Sequence, residues 1–244
     1  LLSQSVHRWA AGRGVRHNGG RFGYREARHG RRRAGLWPVQ LRFATNLTGE
    51  DYVTQKAWRK ATLARCPLHP KGGCGFARHG TYGRRSPPGT LIARWYCPQG
   101  HRTFSLLPDF LAARLPGTLA EIEEVVLAVE QAESLEAACA ALRLDIELAG
   151  VLRWVRRRVQ AVYASLILLK GLLPEWFQGC EPTLGAFAQC LGLPEVLPAL
   201  RPIAAPYLPA LPAPLGFAPL GRRGGEPGPT DQHRGGPDPP GNPA

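Results

Sequence analysis

Hydrophobic and polar positions along this chain follow two different periods, and the switch between them divides it. Thr81-Tyr82-Gly83-Arg84, the breaker Ser86-Pro87-Pro88-Gly89 and Leu91-Ile92-Ala93-Arg94-Trp95-Tyr96 read as strand, turn and strand, and Thr103-Phe104-Ser105-Leu106-Leu107 is a further β-prone run. From Thr118 the period becomes helical. Thr118 with Glu121 three positions on is a capping-box signature, followed by Ile122, Val125, Val126 and Val129 on one face. A second helix is predicted from Ser134, with Glu136 in its first turn and Leu135, Ala138, Cys139 and Leu142 turned inward. After a break at residues 143–145, a third helix begins near Glu147 and sets Leu148, Leu152, Val155, Val159, Val162 and Leu166 in one apolar stripe. Helix, helix, tight turn, helix is the outline of a helix-turn-helix unit. Two short helices are predicted at 175–177 and 183–191, and the expected class is α+β.

The two ends lack either period. Of 244 residues, 29 are Gly and 24 Pro, and they concentrate there, removing length from any core. Residues 1–59 are rich in Arg, Gly and His without sustained periodicity, which predicts a disordered basic arm. Beyond Pro194 proline is spaced too densely for helices, so 196–244 is expected to be a disordered Pro/Gly-rich tail. Between them lie a small sheet module (60–107), a helical region (116–173) and the short helices (174–195). The chain contains no Met, at position 1 included, which predicts that its first residue is not the native start.

Charge narrows the partners. A net charge of +13 favours polyanions, because binding phosphates releases condensed counterions. No stretch reaches the roughly 18 apolar residues of a membrane span, and the first residues lack a signal-peptide core, so a cytoplasmic protein without a membrane partner is expected.

A three-stranded module of this length cannot bury enough surface to hold itself together, and its sequence carries the means to do so otherwise. Cys66-Pro67-Leu68-His69, Cys74-Gly75 and Cys97-Pro98-Gln99-Gly100-His101 place thiols and imidazoles in turns, whereas Cys139, Cys180 and Cys190 fall in helical patterns. A metal site plus buried thiols is therefore expected in preference to disulfides. Four ligands come most simply from Cys66, Cys74, Cys97 and His101, with His69 the alternate through Cys66-x-x-His69. His79 is expected to pack or to touch phosphate. A mixed thiolate and imidazole set with no open position points to structural Zn2+.

On the third helix Arg153, Arg156 and Arg157 occupy the arc opposite the apolar stripe, with Trp154 and Arg158 toward one edge. Guanidinium groups there would contact phosphates and guanine edges in a DNA major groove. Glu121, Glu123, Glu124, Glu130, Glu133 and Glu136 on the first two helices would repel phosphate.

The order of Cys-Pro turn, His79-Gly80-Thr81-Tyr82, Arg94-Trp95-Tyr96-Cys97, Thr103-Phe104-Ser105-Leu106-Leu107-Pro108 and helix-turn-helix resembles the N-terminal zinc-ribbon and helix-turn-helix region of bacterial transposases and their stand-alone relatives. The resemblance covers residues 66 to about 160. A first knuckle stretched by residues 68–73 and His101 in place of Cys depart from it. It implies recognition of DNA by ribbon and helices, with cutting left to a separate acidic triad. Here Asp51, Asp109, Asp145, Asp231 and Asp238 are scattered, and no βα pattern follows to seat a two-metal site. The expectation is a non-enzymatic, zinc-stabilised DNA-binding protein with no small-molecule substrate. The alternatives are a protein-interaction module, in which the 148–173 helix pairs with a partner helix or forms a homodimer, an RNA-binding ribbon, and a truncated transposase.

Overall fold

In the computed structural model, which describes residues 39–142 and 148–218, the fold is α+β, with a four-stranded mixed sheet and seven α-helices among those residues. Strands β1 (Val39–Phe43), β2 (Ala77–Gly83), β3 (Leu91–Cys97) and β4 (Arg102–Pro108) are ordered β1-β4-β3-β2. β2, β3 and β4 form the expected antiparallel meander. β1 runs parallel to β4, from Val39 opposite Phe104 to Phe43 opposite Pro108.

β1 corrects the expectation of a disordered arm through residue 59. Val39, Leu41 and Phe43 alternate with Gln40 and Arg42, so one face of the strand packs on the small core formed by Ala93, Trp95, Phe104 and Leu106. Composition averaged over fifty residues hides a five-residue strand. Helix α1 (Gly49–Thr54) follows, capped by Thr48 Oγ1, which accepts from the Asp51 amide at 3.1 Å, and then a 3-10 turn at Ala57–Arg59. Asp109 accepts two bonds from Arg42, both at 2.7 Å, and so ties β1 to the loop after β4. Residues 1–38 lie outside the described residues.

Helix α2 (Leu119–Gln131) starts at the predicted capping box. Thr118 Oγ1 accepts from the Glu121 amide, and Glu121 accepts from the Thr118 amide. Ser134 caps α3 (Leu135–Leu142), its hydroxyl accepting from Ala137 N at 3.1 Å. Helix α4 (Leu148–Leu172) has 25 residues, roughly 37 Å at 1.5 Å per residue, and runs through the middle of the helical half. Its buried stripe is Val151, Val155, Val159, Val162, Leu166 and Leu169. Leu152, expected in that stripe, is only half-buried because Val151 holds the inner position. The predicted break at 143–145 lies outside the described residues. Ile92 and Leu107 of the sheet belong to the same core as α2 and α4, and Arg84 donates to the carbonyls of Ala112 and Leu115, both at 2.8 Å. Sheet and helices are thus one packed body.

The expected disordered tail is also corrected as far as residue 218. After α5 (Pro174–Phe177) and α6 (Leu184–Leu191), helix α7 (Val196–Ile203) forms despite Pro198, which sits in the first turn where an amide has no intrahelical acceptor. The chain then returns across the core, burying Leu208, Leu211, Leu215 and Phe217. These leucines, spaced among the prolines, are the apolar signal that proline density obscures. Arg201, fully buried, donates to the carbonyls of Leu111 (2.7 Å) and Pro214 (3.1 Å) and lies 5.2 Å from the Phe217 ring. Burial pushes its pKa down to about 10. Residues 219–244 lie outside the described residues.

Two glutamates on α2, seven residues apart and hence on one face, each meet the start of another helix. Glu123 accepts from the amides of Val196 (2.8 Å) and Leu197 (2.7 Å) at α7, and Glu130 from those of Leu184 (2.8 Å) and Gly185 (3.1 Å) at α6. These carboxylates serve the interior, where the sequence suggested a phosphate-repelling surface.

Cys180 and Cys190 form a disulfide, correcting the expectation of buried thiols; Cys139 is free. The chain turns back between α5 and α6 and brings the two together. Exchanging both for Ser should lower stability by about 2–3 kcal/mol through the freed loop entropy. Denaturant unfolding without reductant measures this, and an unchanged midpoint would mean that the bridge contributes nothing. No helix among the described residues is long and apolar enough to cross a membrane.

Candidate metal centre and basic surfaces

The loop between the 3-10 turn and β2 wraps beneath the sheet and delivers three metal-ligating side chains. The fourth comes from the end of β3. Cys66, His69, Cys74 and Cys97 place one ligand atom each within 4.8 Å of one another, close enough to bind a single metal ion. His69 Nδ1 lies 3.6 Å from Cys66 Sγ and 3.3 Å from Cys97 Sγ, near the edge of about 3.5–3.8 Å that tetrahedral coordination at thiolate and imidazole bond lengths requires.

Local backbone explains the convergence. His69 N donates to Cys66 O at 3.1 Å, closing a tight turn that brings both side chains to one side. Gly75 takes a positive φ of 64° as the loop turns into β2. Gly100 N donates to Cys97 Sγ at 3.2 Å, and a Cβ at Gly100 would lie 2.5 Å from the end of the exposed Leu68 side chain and 3.3 Å from that sulfur, so a larger residue there would have to displace Leu68. Phe76 stacks on Trp95 at 5.3 Å and meets Phe104 edge-on at 5.9 Å beside the three buried thiols. Burial alone would raise the Cys66 thiol. Hydrogen bonding with His69, with the Leu68 and His69 backbone and with Cys97 outweighs it and brings the thiol down to about 7. Cys74 is pushed up, first by burial and then by the hydrogen bonds it shares with Cys66 and Cys97.

His101 stands outside this group. Side chains alternate across β3, so Cys97 faces the cluster and Tyr96 the opposite side of the sheet. His101, exposed and with φ 47°, turns toward Tyr96, its Nδ1 3.4 Å from the phenol oxygen. The side chains that could hold an ion come three from the first loop and one from the second, where two and two were expected. His69, inside the six residues that stretch the first knuckle, takes the place assigned to His101, and its signal was the Cys66-x-x-His69 spacing. His79 is exposed, its ring 5.4 Å from that of Tyr96.

The α4 cations divide. Arg153, Arg156 and Arg157 are exposed. Arg158 is buried, its guanidinium 3.7 Å from the centre of the Trp154 ring, and it donates to Trp154 O at 3.3 Å. Arg158 and Trp154 therefore pack on one another, which takes the Arg158 head away from phosphate. The stripe expected to pair with a partner helix packs on α2, α3 and α5, and Ile167 and Leu168 are exposed large apolar side chains of α4. Comparison with known protein families, with curated proteins and with solved structures gives no match for this chain.

Proposed function

We propose that this is a zinc-stabilised DNA-binding protein, in which the metal holds a cationic sheet module and α4 presents arginines beside it, without nuclease chemistry. The observation that carries the reading is charge segregation. From residue 52 to 108 the chain has ten Lys and Arg side chains, Lys56 to Arg102, and neither Asp nor Glu. Among the described residues Arg78 and Arg84 in this stretch bond to backbone carbonyls and to no carboxylate. A block with no anion of its own attracts a polyanion over the whole surface. Zinc is the metal that suits three thiolates and one imidazole in a closed site, in a structural role. Asp109, which directly follows β4, is paired with Arg42.

Titrating duplex DNA with the full zinc-loaded chain at several salt concentrations tests the reading. Affinity should fall steeply with salt, and Arg153→Glu with Arg157→Glu should weaken binding and reduce the log–log salt slope by about two. An unchanged slope in a folded, metal-loaded double variant would remove α4 from the interface. Salt-independent binding, or none, would remove the function.

A further inference from the structure

The face of the sheet opposite the metal cluster is divided along its length. At one end Tyr82, Ile92 and Leu107 pack into the helical core. At the other end Arg94 and Tyr96 of β3 stand beside Thr103 of β4, and Tyr96 belongs to none of the hydrophobic clusters of the described residues. Directly across from Tyr96 the neighbours are small, Ala77 on β2 and Thr103 on β4, so the half-buried phenol rises from an open patch. Two imidazoles flank it, His79 with ring centres 5.4 Å apart and His101 at 3.4 Å from the hydroxyl. Arg94, two residues back on the same face, has no hydrogen-bond or ion-pair partner among the described residues. The patch belongs to the block that lacks any carboxylate.

Resting on the nucleic-acid reading above, we propose that this patch binds unpaired nucleic-acid strand, with a base stacked on Tyr96 between the two imidazoles and Arg94 taking the adjacent phosphate. An open aromatic ring beside a guanidinium on a flat sheet is the arrangement that holds single strands, because every base offers a π-face and the backbone follows positive charge. In a duplex those faces are already stacked, and the major groove admits a helix or a two-stranded ribbon, not the broad face of a four-stranded sheet. The patch and the α4 arc therefore address different forms of the polymer.

The test uses the full zinc-loaded chain and fluorescence anisotropy with a labelled oligothymidine of about 10 nucleotides, a length within the span of known single-strand sites, and with a duplex. Tyr96→Ala should weaken oligothymidine binding roughly tenfold to a hundredfold, the range that loss of one stacked base gives. Tyr96→Phe should restore it, and duplex affinity should hold. His79→Ala, exposed, and Arg94→Gln, half-buried, should each weaken the single-strand complex and serve in place of Tyr96→Ala should that variant lose its metal. Unchanged oligothymidine binding in metal-loaded Tyr96→Ala, or in both of these metal-loaded variants, overturns the proposal. So does equal weakening of duplex and single strand. Duplex binding with no oligothymidine binding overturns this inference and leaves the proposed function standing; failure to bind either polymer overturns both.

Discussion

Cys97→Ser should abolish metal binding and unfold the sheet module around β2 and the ligand loop, the largest effect of any single substitution in this chain. A closed structural site of this type supplies on the order of 10 kcal/mol of apparent binding free energy, and in a module with so little apolar surface that energy is folding energy. Metal content of the purified variant should fall from one equivalent to none, and the near-ultraviolet circular dichroism of Trp95, stacked on Phe76 beside the site, should collapse. His69→Ala should share this result and His101→Ala should not, since His101 turns to the other face of the sheet. A chain that keeps its metal after His69→Ala, or loses it after His101→Ala, would overturn the ligand set. Protons compete with the metal for thiolate and imidazole, so lowering the pH through the range where these groups protonate should release the ion and destabilise the module. Chelation at neutral pH should reproduce that state.

Glu123→Ala should cost about 2–4 kcal/mol. It strands the amides of Val196 and Leu197 at the buried start of α7 and removes an anion from a helix N-terminus. Glu130→Ala should cost less, about 1 kcal/mol, because Thr183 Oγ1 also caps α6, accepting from Ala186 N at 3.2 Å. Denaturant midpoints of the two variants measure the difference, and equal midpoints would contradict it. The Glu123 carboxyl lies above its ordinary value, chiefly through burial, with the two amide bonds pulling the other way. A raised carboxyl binds its proton more tightly folded than unfolded, so its contribution to stability falls as pH rises through the window just above the ordinary carboxyl range. Glu123→Gln should remove that slope, and a Gln variant with the same pH dependence as the parent would show that the group does not titrate there.

What the sequence disclosed follows from the range over which each signal acts. The capping box at Thr118 and Glu121, the helix starts near Ser134 and Thr183 and the strands through Leu91 and Thr103 rest on neighbours a few residues apart, and all are in place. The metal cluster was legible as residue types and spacing. The choice between His69 and His101 was not, because it depends on which face of β3 the second turn leaves, and turn length does not encode that. Glu123 and Glu130 looked like ordinary solvated acids, since the helix starts they meet lie more than fifty residues downstream. β1 and α7 were masked by composition, the first by surrounding arginines and the second by prolines. Arg158 shows the same limit, for a run of three arginines does not reveal which member lies against Trp154.

The parallel pairing of β1 sets an order of events as the chain is made. β1 leaves the ribosome first, yet its partner in the sheet is β4, which follows the entire ligand loop and hairpin. The four side chains that could hold an ion are all made once Cys97 emerges, before β4 exists, so closing that site calls on no residue of β4. β1, with its Val39, Leu41 and Phe43 face, has no partner strand in the sheet until β4 is made.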